Sequence, residues 1–247
     1  MSTVRGPTEL LTNHRRALWY ALALLAACVL SLLAVGRHPL NAPPTMTTVP
    51  FVGRFDESMY RWMDDVRAAP LTILFRFLNV AGGGIVTIPL RAIVSVYLLV
   101  RRWWRKATAF LLTWLLSEVS LNLLKAYFHR ARPLDPLVSI KGYSFPSGHA
   151  VAGAAVAVGI VLALFPAGER RKWEWAAAGF AFVMGLSRVY LNAHWFSDVV
   201  AGVLLGSGIA IGCAVLVTEV RDIALRRAGV SVAEQVAEDP DAAAPPV

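Results

Sequence analysis

The sequence is poor in charged residues and has almost no cysteine. Only 16% of its 247 residues are charged, whereas 57% are hydrophobic and the mean hydropathy is +0.56. A composition this apolar excludes an ordinary soluble domain and indicates a membrane protein. The two cysteines, Cys28 and Cys213, both lie inside apolar stretches. They are predicted to be packing residues, and they do not indicate a disulfide framework or a cysteine-ligated metal.

Metal-ligand patterns are also lacking. Asp, Glu and His residues do not cluster at the spacing of a metal site, so the sequence predicts no metal and no other cofactor. There is no internal repeat and no sign of a second domain.

Six stretches are apolar and long enough to cross a bilayer of about 30 Å, which takes roughly 20 helical residues. They predict an all-α, polytopic membrane protein, a bundle of six transmembrane helices at residues 17–35, 77–100, 107–124, 150–165, 173–191 and 199–217. The first stretch is longer than a signal-peptide core of about 7–15 residues, which favours a retained anchor. The second contains Gly82-Gly83-Gly84 and Pro89, which predict close packing or a kink.

The domain organisation follows from these stretches. Residues 1–16 are polar and predict a cytoplasmic N-terminal tail, and residues 17–227 form one membrane domain. Residues 228–247 are rich in Ala, Pro, Glu and Asp and predict a disordered cytoplasmic tail.

The net charge of +8 reflects topology. Thirteen Lys and Arg residues lie in the N-terminal segment, the second and fourth connections and the C-terminal segment, against seven in the connections on the opposite side. The positive-inside rule therefore places both termini in the cytoplasm. No nucleic-acid partner is expected.

The connection between the first two spans predicts an amphipathic helix. Phe51, Phe55, Met59, Met63 and Val66 recur at spacings of three or four, with four acidic residues between them. Such a helix lies in the membrane interface. Two interpretations stay open: the helix flanks the access route of a lipid, or it covers the bundle.

Two charges lie at similar depth in neighbouring spans. Arg91 precedes the cytoplasmic Arg101 by ten residues, and Glu118 follows Lys106 by twelve. At 1.5 Å per helical residue these separations correspond to depths of roughly 15 and 18 Å. Because an isolated charge at that depth is costly, Arg91 and Glu118 are predicted to pair.

A polar turn at residues 143–149 runs directly into the fourth apolar stretch. Ser147 occupies the position of a helix N-cap, and His149 falls in the first turn. The unpaired N–H groups of a helix N-terminus attract anions, and an ionisable residue at the end of a membrane span indicates a functional site. The alternative is a capped helix with a histidine among the lipid headgroups.

Three polar clusters lie on the same predicted side of the membrane, at the end of span three, the start of span four and the junction of spans five and six. The candidate site residues in them are Lys125, Arg132, Ser147, Gly148, His149, Arg188, His194 and Asp198. Each has an ordinary structural explanation when taken singly, such as a lysine that extends its amine to the interface. Their joint occurrence favours a site.

This set of residues suits phosphoryl transfer. Three cations and a helix N-terminus can hold a dianionic phosphate, with bidentate hydrogen bonds from the arginines. His194 and Asp198 are four residues apart, so on a helix the carboxylate can orient the imidazole of a histidine nucleophile. His149 can then protonate the departing alkoxide as a general acid.

The spacing Lys-x6-Arg-Pro, Pro-Ser-Gly-His and Ser-Arg-x5-His-x3-Asp resembles the signature of the type 2 phosphatidic acid phosphatase (PAP2) superfamily. All its fixed positions are present between Lys125 and Asp198. The resemblance implies an all-helical, six-span, metal-independent enzyme of the bacterial cell membrane, with an extracytoplasmic site.

Roles follow from the resemblance position by position. It implies that the phosphate is held by Lys125, Arg132, Ser147, Gly148 and Arg188. It also implies that His149 is the acid and that His194, partnered by Asp198, becomes a phosphohistidine. The implied substrate is a phospholipid or a polyprenyl diphosphate such as undecaprenyl diphosphate. A phosphotransferase with the same intermediate, or a lipid or anion transporter, is the alternative, and the oligomeric state stays open.

Overall fold

A computed structural model describes residues 11, 13–38, 46–166 and 170–227. This part of the chain is all-α, as predicted. Its helices are α1 His14–Val35, α2 Pro50–Asp65, α3 Ala69–Ala81, α4 Gly84–Val100, α5 Trp104–Phe128, α6 Gly148–Leu164, α7 Arg170–Tyr190 and α8 Phe196–Arg227. The tail predicted for 228–247 lies outside the described residues, as does most of the tail predicted for 1–16.

Three of the described helices, α1, α5 and α8, are long and apolar enough to cross a membrane. A fourth crossing results if the bent pair α3 and α4 forms one span. Helix α6 is apolar but has only 17 residues. The apolar helices support a membrane location, while the count of six spans stays a prediction.

The second predicted span, at 77–100, is not one continuous helix. The chain is already helical from Ala69, breaks at Gly82-Gly83 and resumes at Gly84 with a bend of 46°. The triple glycine therefore produces the predicted kink, whereas Pro89 lies within α4. A Cβ atom on Gly82 would collide with Met184 and come within 3.2 Å of His149 Cδ2. The break is thus tightly packed against the candidate site.

Helix α8 packs against α6 through glycines. A Cβ atom on Gly202 would lie 2.8 Å from the Ser147 carbonyl oxygen, and one on Gly206 would collide with the Val151 carbonyl oxygen. Only glycine lets the two backbones approach this closely. One turn before Gly202, the Ser147 N–H donates to the Asp198 carbonyl oxygen at 3.0 Å. This close approach brings two of the three predicted polar clusters together.

Helix α2 confirms the helix predicted between residues 51 and 66, but one acid departs from the amphipathic pattern. Phe51 and Phe55 are 64% and 40% exposed, in keeping with an apolar outer face. Asp56, in contrast, is buried on the same side of the helix as Gly53 and Met63. This carboxylate faces the protein interior because it has partners there.

Two further predictions are confirmed inside the bundle. Arg91 Nη1 donates to Glu118 Oε1 at 2.5 Å, which pairs α4 with α5. Arg91 is buried, whereas Glu118 lies partly exposed at the side of the bundle. Cys28 and Cys213 are free thiols buried in one apolar cluster.

Candidate active site

His194 lies in the short connection between α7 and α8. The N–H groups of Ala193 and His194 both donate to the carbonyl oxygen of Arg188, at 3.0 and 3.2 Å. The connection therefore turns back onto the end of α7. This ties the backbone of one candidate phosphate-binding residue to that of the candidate nucleophile.

The His194 ring is held from both sides. Its Nδ1 lies 3.4 Å from Asp198 Oδ2, which confirms the predicted contact between these residues, and its Nε2 lies 2.9 Å from Arg132 Nη1. Because a guanidinium can only donate, Nε2 must accept and the ring proton lies on Nδ1, facing the carboxylate. Burial lowers the pKa of His194 to about 3, although Asp198 opposes the shift. The ring is therefore neutral near pH 7, with a lone pair on Nε2.

Asp198 is fully buried and accepts hydrogen bonds on both oxygens. Oδ2 accepts from the Trp195 N–H at 2.9 Å, at the start of α8, and from the Ser144 hydroxyl. Oδ1 accepts from Arg130 Nη1 at 2.7 Å. These hydrogen bonds hold the carboxylate in position and stabilise its negative charge.

Arg130 and Asp56 belong to the same network, and sequence analysis did not select them. Arg130 Nη2 donates to Asp56 Oδ2 at 2.7 Å, and the Ser197 N–H donates to Asp56 Oδ1 at 2.8 Å. The signal available in the sequence was an acid seven residues before Met63, on a face of α2 that was expected to be apolar. For Arg130 no comparable signal exists, because it looks like an ordinary charge of the connecting segment.

Arg132 holds the turn that precedes α6. Its Nε and Nη2 donate to the carbonyl oxygens of Gly142, Lys141 and Tyr143 at 2.9 to 3.1 Å, and Nη1 donates to Ala193 O at 2.7 Å. Together with the bond to His194, these contacts occupy all five donors of the guanidinium. The expected bidentate grip on phosphate would require Arg132 to release some of them.

Lys125 is anchored on the same turn. It lies in the last turn of α5, and its Nζ donates to the Tyr143 carbonyl oxygen at 2.5 Å. We refer to Asp56, Lys125, Arg130, Arg132, Ser144, His194 and Asp198 as the His194 cluster.

His149 is positioned by the break between α3 and α4. The Gly83 N–H donates to Val80 O at 3.1 Å instead of continuing the α-helical pattern to Asn79 O. The Asn79 carbonyl oxygen is therefore available, and His149 Nε2 lies 3.0 Å from it. Because a carbonyl only accepts, Nε2 of His149 carries a proton.

Two buried polar groups near His149 lack a hydrogen-bond partner within the described part of the chain. They are the Ser147 hydroxyl and Nε of Arg188. Ser147 is the N-cap of α6, as predicted, but its side chain makes no capping bond. Among the described residues, the Arg188 side chain donates from Nη1 to the Asn79 side chain. Buried donors without partners are available to bind the oxygen atoms of an anion. We refer to Asn79, Ser147, Gly148, His149 and Arg188 as the His149 cluster.

The structure thus brings together all eight residues selected from the sequence, in two linked clusters. Two backbone hydrogen bonds join the clusters: the Ser147 N–H donates to the Asp198 carbonyl oxygen, and the His194 N–H donates to the Arg188 carbonyl oxygen. In the described residues, no group of three or more His, Cys, Asp or Glu side chains could hold a metal ion. That the protein needs no metal stays a prediction.

Comparisons with known proteins agree on one family. Residues 106–222 match the PAP2 superfamily. Undecaprenyl-diphosphatase of Sulfolobus acidocaldarius is 29% identical over 168 residues, which cover 63% of this chain and 75% of that protein. Phosphatidylglycerophosphatase B of Bacillus subtilis is 38% identical over 91 residues, covering 34% of this chain and 45% of that protein.

The fold has solved counterparts. A crystal structure of a transmembrane PAP2-type phosphatidylglycerolphosphate phosphatase from Bacillus subtilis superposes with a TM-score of 0.67 at 24% identity, covering 83% of this chain and 97% of that one. The crystal structure of Aquifex aeolicus LpxE gives a TM-score of 0.53 at 24% identity, with 67% and 95% covered. At these identities the likeness establishes the shared fold. The protein contains a PAP2 superfamily domain at residues 106–222, and this domain carries all eight of the candidate site residues.

Proposed function

We propose that this protein is an integral-membrane phosphatase that hydrolyses a lipid phosphate or a polyprenyl diphosphate through a phosphohistidine at His194. The observation that carries the proposal is the fixed, neutral His194 ring, with its Nε2 lone pair 2.9 Å from Arg132 and its Nδ1 facing Asp198. The names of the relatives support the substrate class, since they include a diphosphatase of a polyprenyl lipid and a phospholipid phosphatase.

In the first step the phosphate group binds between the two clusters. Ser147 and Arg188 supply donors that have no partner in the described chain, and the N-terminal N–H groups of α6 supply more. Arg132 passes the N–H that it gives to Nε2 to a phosphate oxygen. Nε2 then attacks phosphorus, and the bond to the leaving oxygen breaks. The resulting positive charge on the ring is supported by Asp198, because Nδ1 keeps its proton.

His149 handles the second proton. Its Nε2–H stays on the Asn79 carbonyl oxygen, which leaves Nδ1 as the atom that exchanges protons. As the phosphate dianion binds, Nδ1 takes up a proton from solvent, because the negative charge favours the imidazolium form. This Nδ1–H then protonates the leaving oxygen. In the second half-reaction neutral Nδ1 takes a proton from water as the water attacks the phosphohistidine. Inorganic phosphate leaves, the proton on His149 Nδ1 returns to solvent, and both histidines return to their starting states.

Phosphate release by purified protein in detergent tests the activity. Polyprenyl diphosphate, phosphatidate and phosphatidylglycerophosphate are compared, with no added acceptor, for the wild type, His149→Ala and His194→Ala. We expect release from at least one substrate by the wild type and loss of release in both variants. Phosphate transfer only when a lipid or sugar acceptor is added would favour a phosphotransferase, and full activity of both variants would contradict the assigned roles.

The side of the membrane is a separate part of the proposal: both termini are cytoplasmic and the site faces outward. Ser139 and Arg102 are exposed and lie on opposite sides in this topology. Ser139→Cys should react with a membrane-impermeant maleimide in intact bacterial cells, and Arg102→Cys only after permeabilisation. The reverse pattern would place the site in the cytoplasm.

A further inference from the structure

A buried group of charges lies behind the His194–Asp198 pair and is absent from the sequence signature. Arg130 donates from Nη1 to Asp198 Oδ1 and from Nη2 to Asp56 Oδ2, at 2.7 Å each. The side chains of all three residues have no exposure to solvent. Arg130 is thus shared between the carboxylate that contacts the proposed nucleophile and a carboxylate on α2.

The sharing decides the net charge beside His194. A buried arginine with one carboxylate is a neutral pair, whereas Asp56, Arg130 and Asp198 together carry one net negative charge. Charges in a buried site are weakly screened, so this excess acts on the neighbouring ring. Attack by Nε2 converts the neutral His194 ring into a cation. A net negative group favours that cation, and a neutral pair does so less.

Asp56 has its own stabilising contacts and so does not depend on Arg130 alone. The Ser197 N–H donates to Asp56 Oδ1 at 2.8 Å, and the Ser197 hydroxyl donates to Oδ2 at 2.6 Å. Ser197 lies in the first turn of α8, where the helix dipole favours a carboxylate. Asp56 therefore acts on the helix that carries Asp198 both as a cap and as a charge.

We propose that Asp56 is a positioning residue for phosphoryl transfer, because it shares Arg130 with Asp198 and so leaves Asp198 free to support the charge on His194. The inference rests on the proposed function and deepens it. It makes α2 a working part of the site, besides any role as a cover of the bundle.

Charge-balanced variants test this inference. The net charge of the group is −1 in the wild type, 0 in Asp56→Asn, −2 in Arg130→Gln and −1 again in the double variant. Asp64→Asn is the matched control, since Asp64 also lies on α2 and accepts from Asn192 of the α7–α8 connection at 3.2 Å. It removes an acid of the same helix without changing this group.

Phosphate release from polyprenyl diphosphate is measured as kcat and KM in detergent, with thermal unfolding as the check of folding. We expect Asp56→Asn to lower kcat at least about tenfold with KM within about twofold, because the affected charge develops in the transition state. The double variant restores the net charge of −1 and should exceed Asp56→Asn at least about fivefold. It should also exceed Arg130→Gln about fivefold, because without Arg130 the two buried carboxylates share a proton and Asp198 is no longer fully charged. Asp64→Asn should keep the wild-type kcat.

Other outcomes overturn the inference. If the losses of kcat in the two single variants multiply in the double variant, or if Asp64→Asn lowers kcat as far as Asp56→Asn does, α2 has only a structural role. Should Asp56→Asn fail to fold, the comparison of Arg130→Gln with the double variant still tests the charge coupling. An inactive wild type removes the proposed function and this inference with it, whereas an active wild type with an unchanged Asp56→Asn removes this inference alone.

Discussion

The two histidines of the site differ in how completely their surroundings are bonded. Around His194, Arg132 uses all five donors and Asp198 accepts on both oxygens. Around His149, the Ser147 hydroxyl and Arg188 Nε are buried without a partner in the described chain. A saturated network holds a nucleophile in position, and an unsaturated one leaves donors for an incoming anion. For the proposed function, we therefore expect the phosphate to bind toward the His149 cluster.

The strongest test of this contrast is removal of each histidine. His194→Ala should abolish both the phosphoenzyme and phosphate release. His149→Ala should slow release by roughly 10²- to 10⁴-fold, the usual contribution of a general acid, while a phosphoenzyme still forms. Labelling with ³²P-substrate followed by a rapid quench measures both. A phosphoenzyme in His194→Ala would reverse the assignment.

Changes at the Gly82-Gly83 break are expected to have the next largest effect on activity, because this break positions the His149 cluster. Gly82→Ala forces a Cβ atom into Met184 and toward His149, and overpacking of this kind costs about 1–3 kcal/mol. We expect lower thermal stability and a fall in kcat of roughly tenfold or more, since small displacements at a site cost that much. Gly179→Ala is the control, as its Cβ meets nothing within 4 Å. Equal behaviour of the two variants would show that the break does not position His149.

Asn79 makes two separate contacts in the His149 cluster, one through its side chain and one through its main chain. Its side chain bonds Arg188 and its carbonyl oxygen bonds His149, so Asn79→Ala removes only the first contact. A hydrogen bond to a charged group is worth about 1.5–3 kcal/mol, so KM should rise by roughly tenfold or more. The kcat should change less, because the carbonyl oxygen remains. A fall in kcat with an unchanged KM would place Arg188 away from the bound phosphate.

Two serines give the smallest and sharpest comparison. Ser144→Ala removes a donor to buried Asp198 and should lower the free energy of unfolding by about 1–3 kcal/mol. Ser147→Ala removes a hydroxyl without a partner in the described chain and should leave stability within about 0.5 kcal/mol while raising KM. Denaturant unfolding and phosphate-release kinetics measure the two effects. Identical stability losses would mean that the clusters are equally bonded.

Helix positions and the signature residues could be predicted because they depend on local pattern. The contact between His194 and Asp198 follows from a spacing of four at a helix start, and Ser147 as N-cap follows from the turn before an apolar stretch. The kink at Gly82-Gly83 was also predictable, although the helix start at Ala69 was not. The apolar run at 77–100 shows where lipid or core is contacted, and a helix can extend beyond that run.

Residues joined across long distances in the chain could not be predicted. Asp56 and Arg130 are 74 positions apart, and neither is distinguished from an ordinary connecting-segment charge by its neighbours. Asn79 acts on His149 through a main-chain carbonyl, which every residue has. Its availability depends on where the α3 hydrogen bonds stop.

The sequence by itself determined the all-α class, the apolar stretches, the eight candidate residues and their chemistry, since these depend on residue type and short spacing. The tertiary structure alone decided which donors are already occupied. Arg132 could be assigned to phosphate from its type, but only the fold shows that four backbone carbonyls hold it. The physical reason is that a hydrogen-bonding group is committed by the atoms within about 3 Å of it, and in this bundle those atoms come from distant segments.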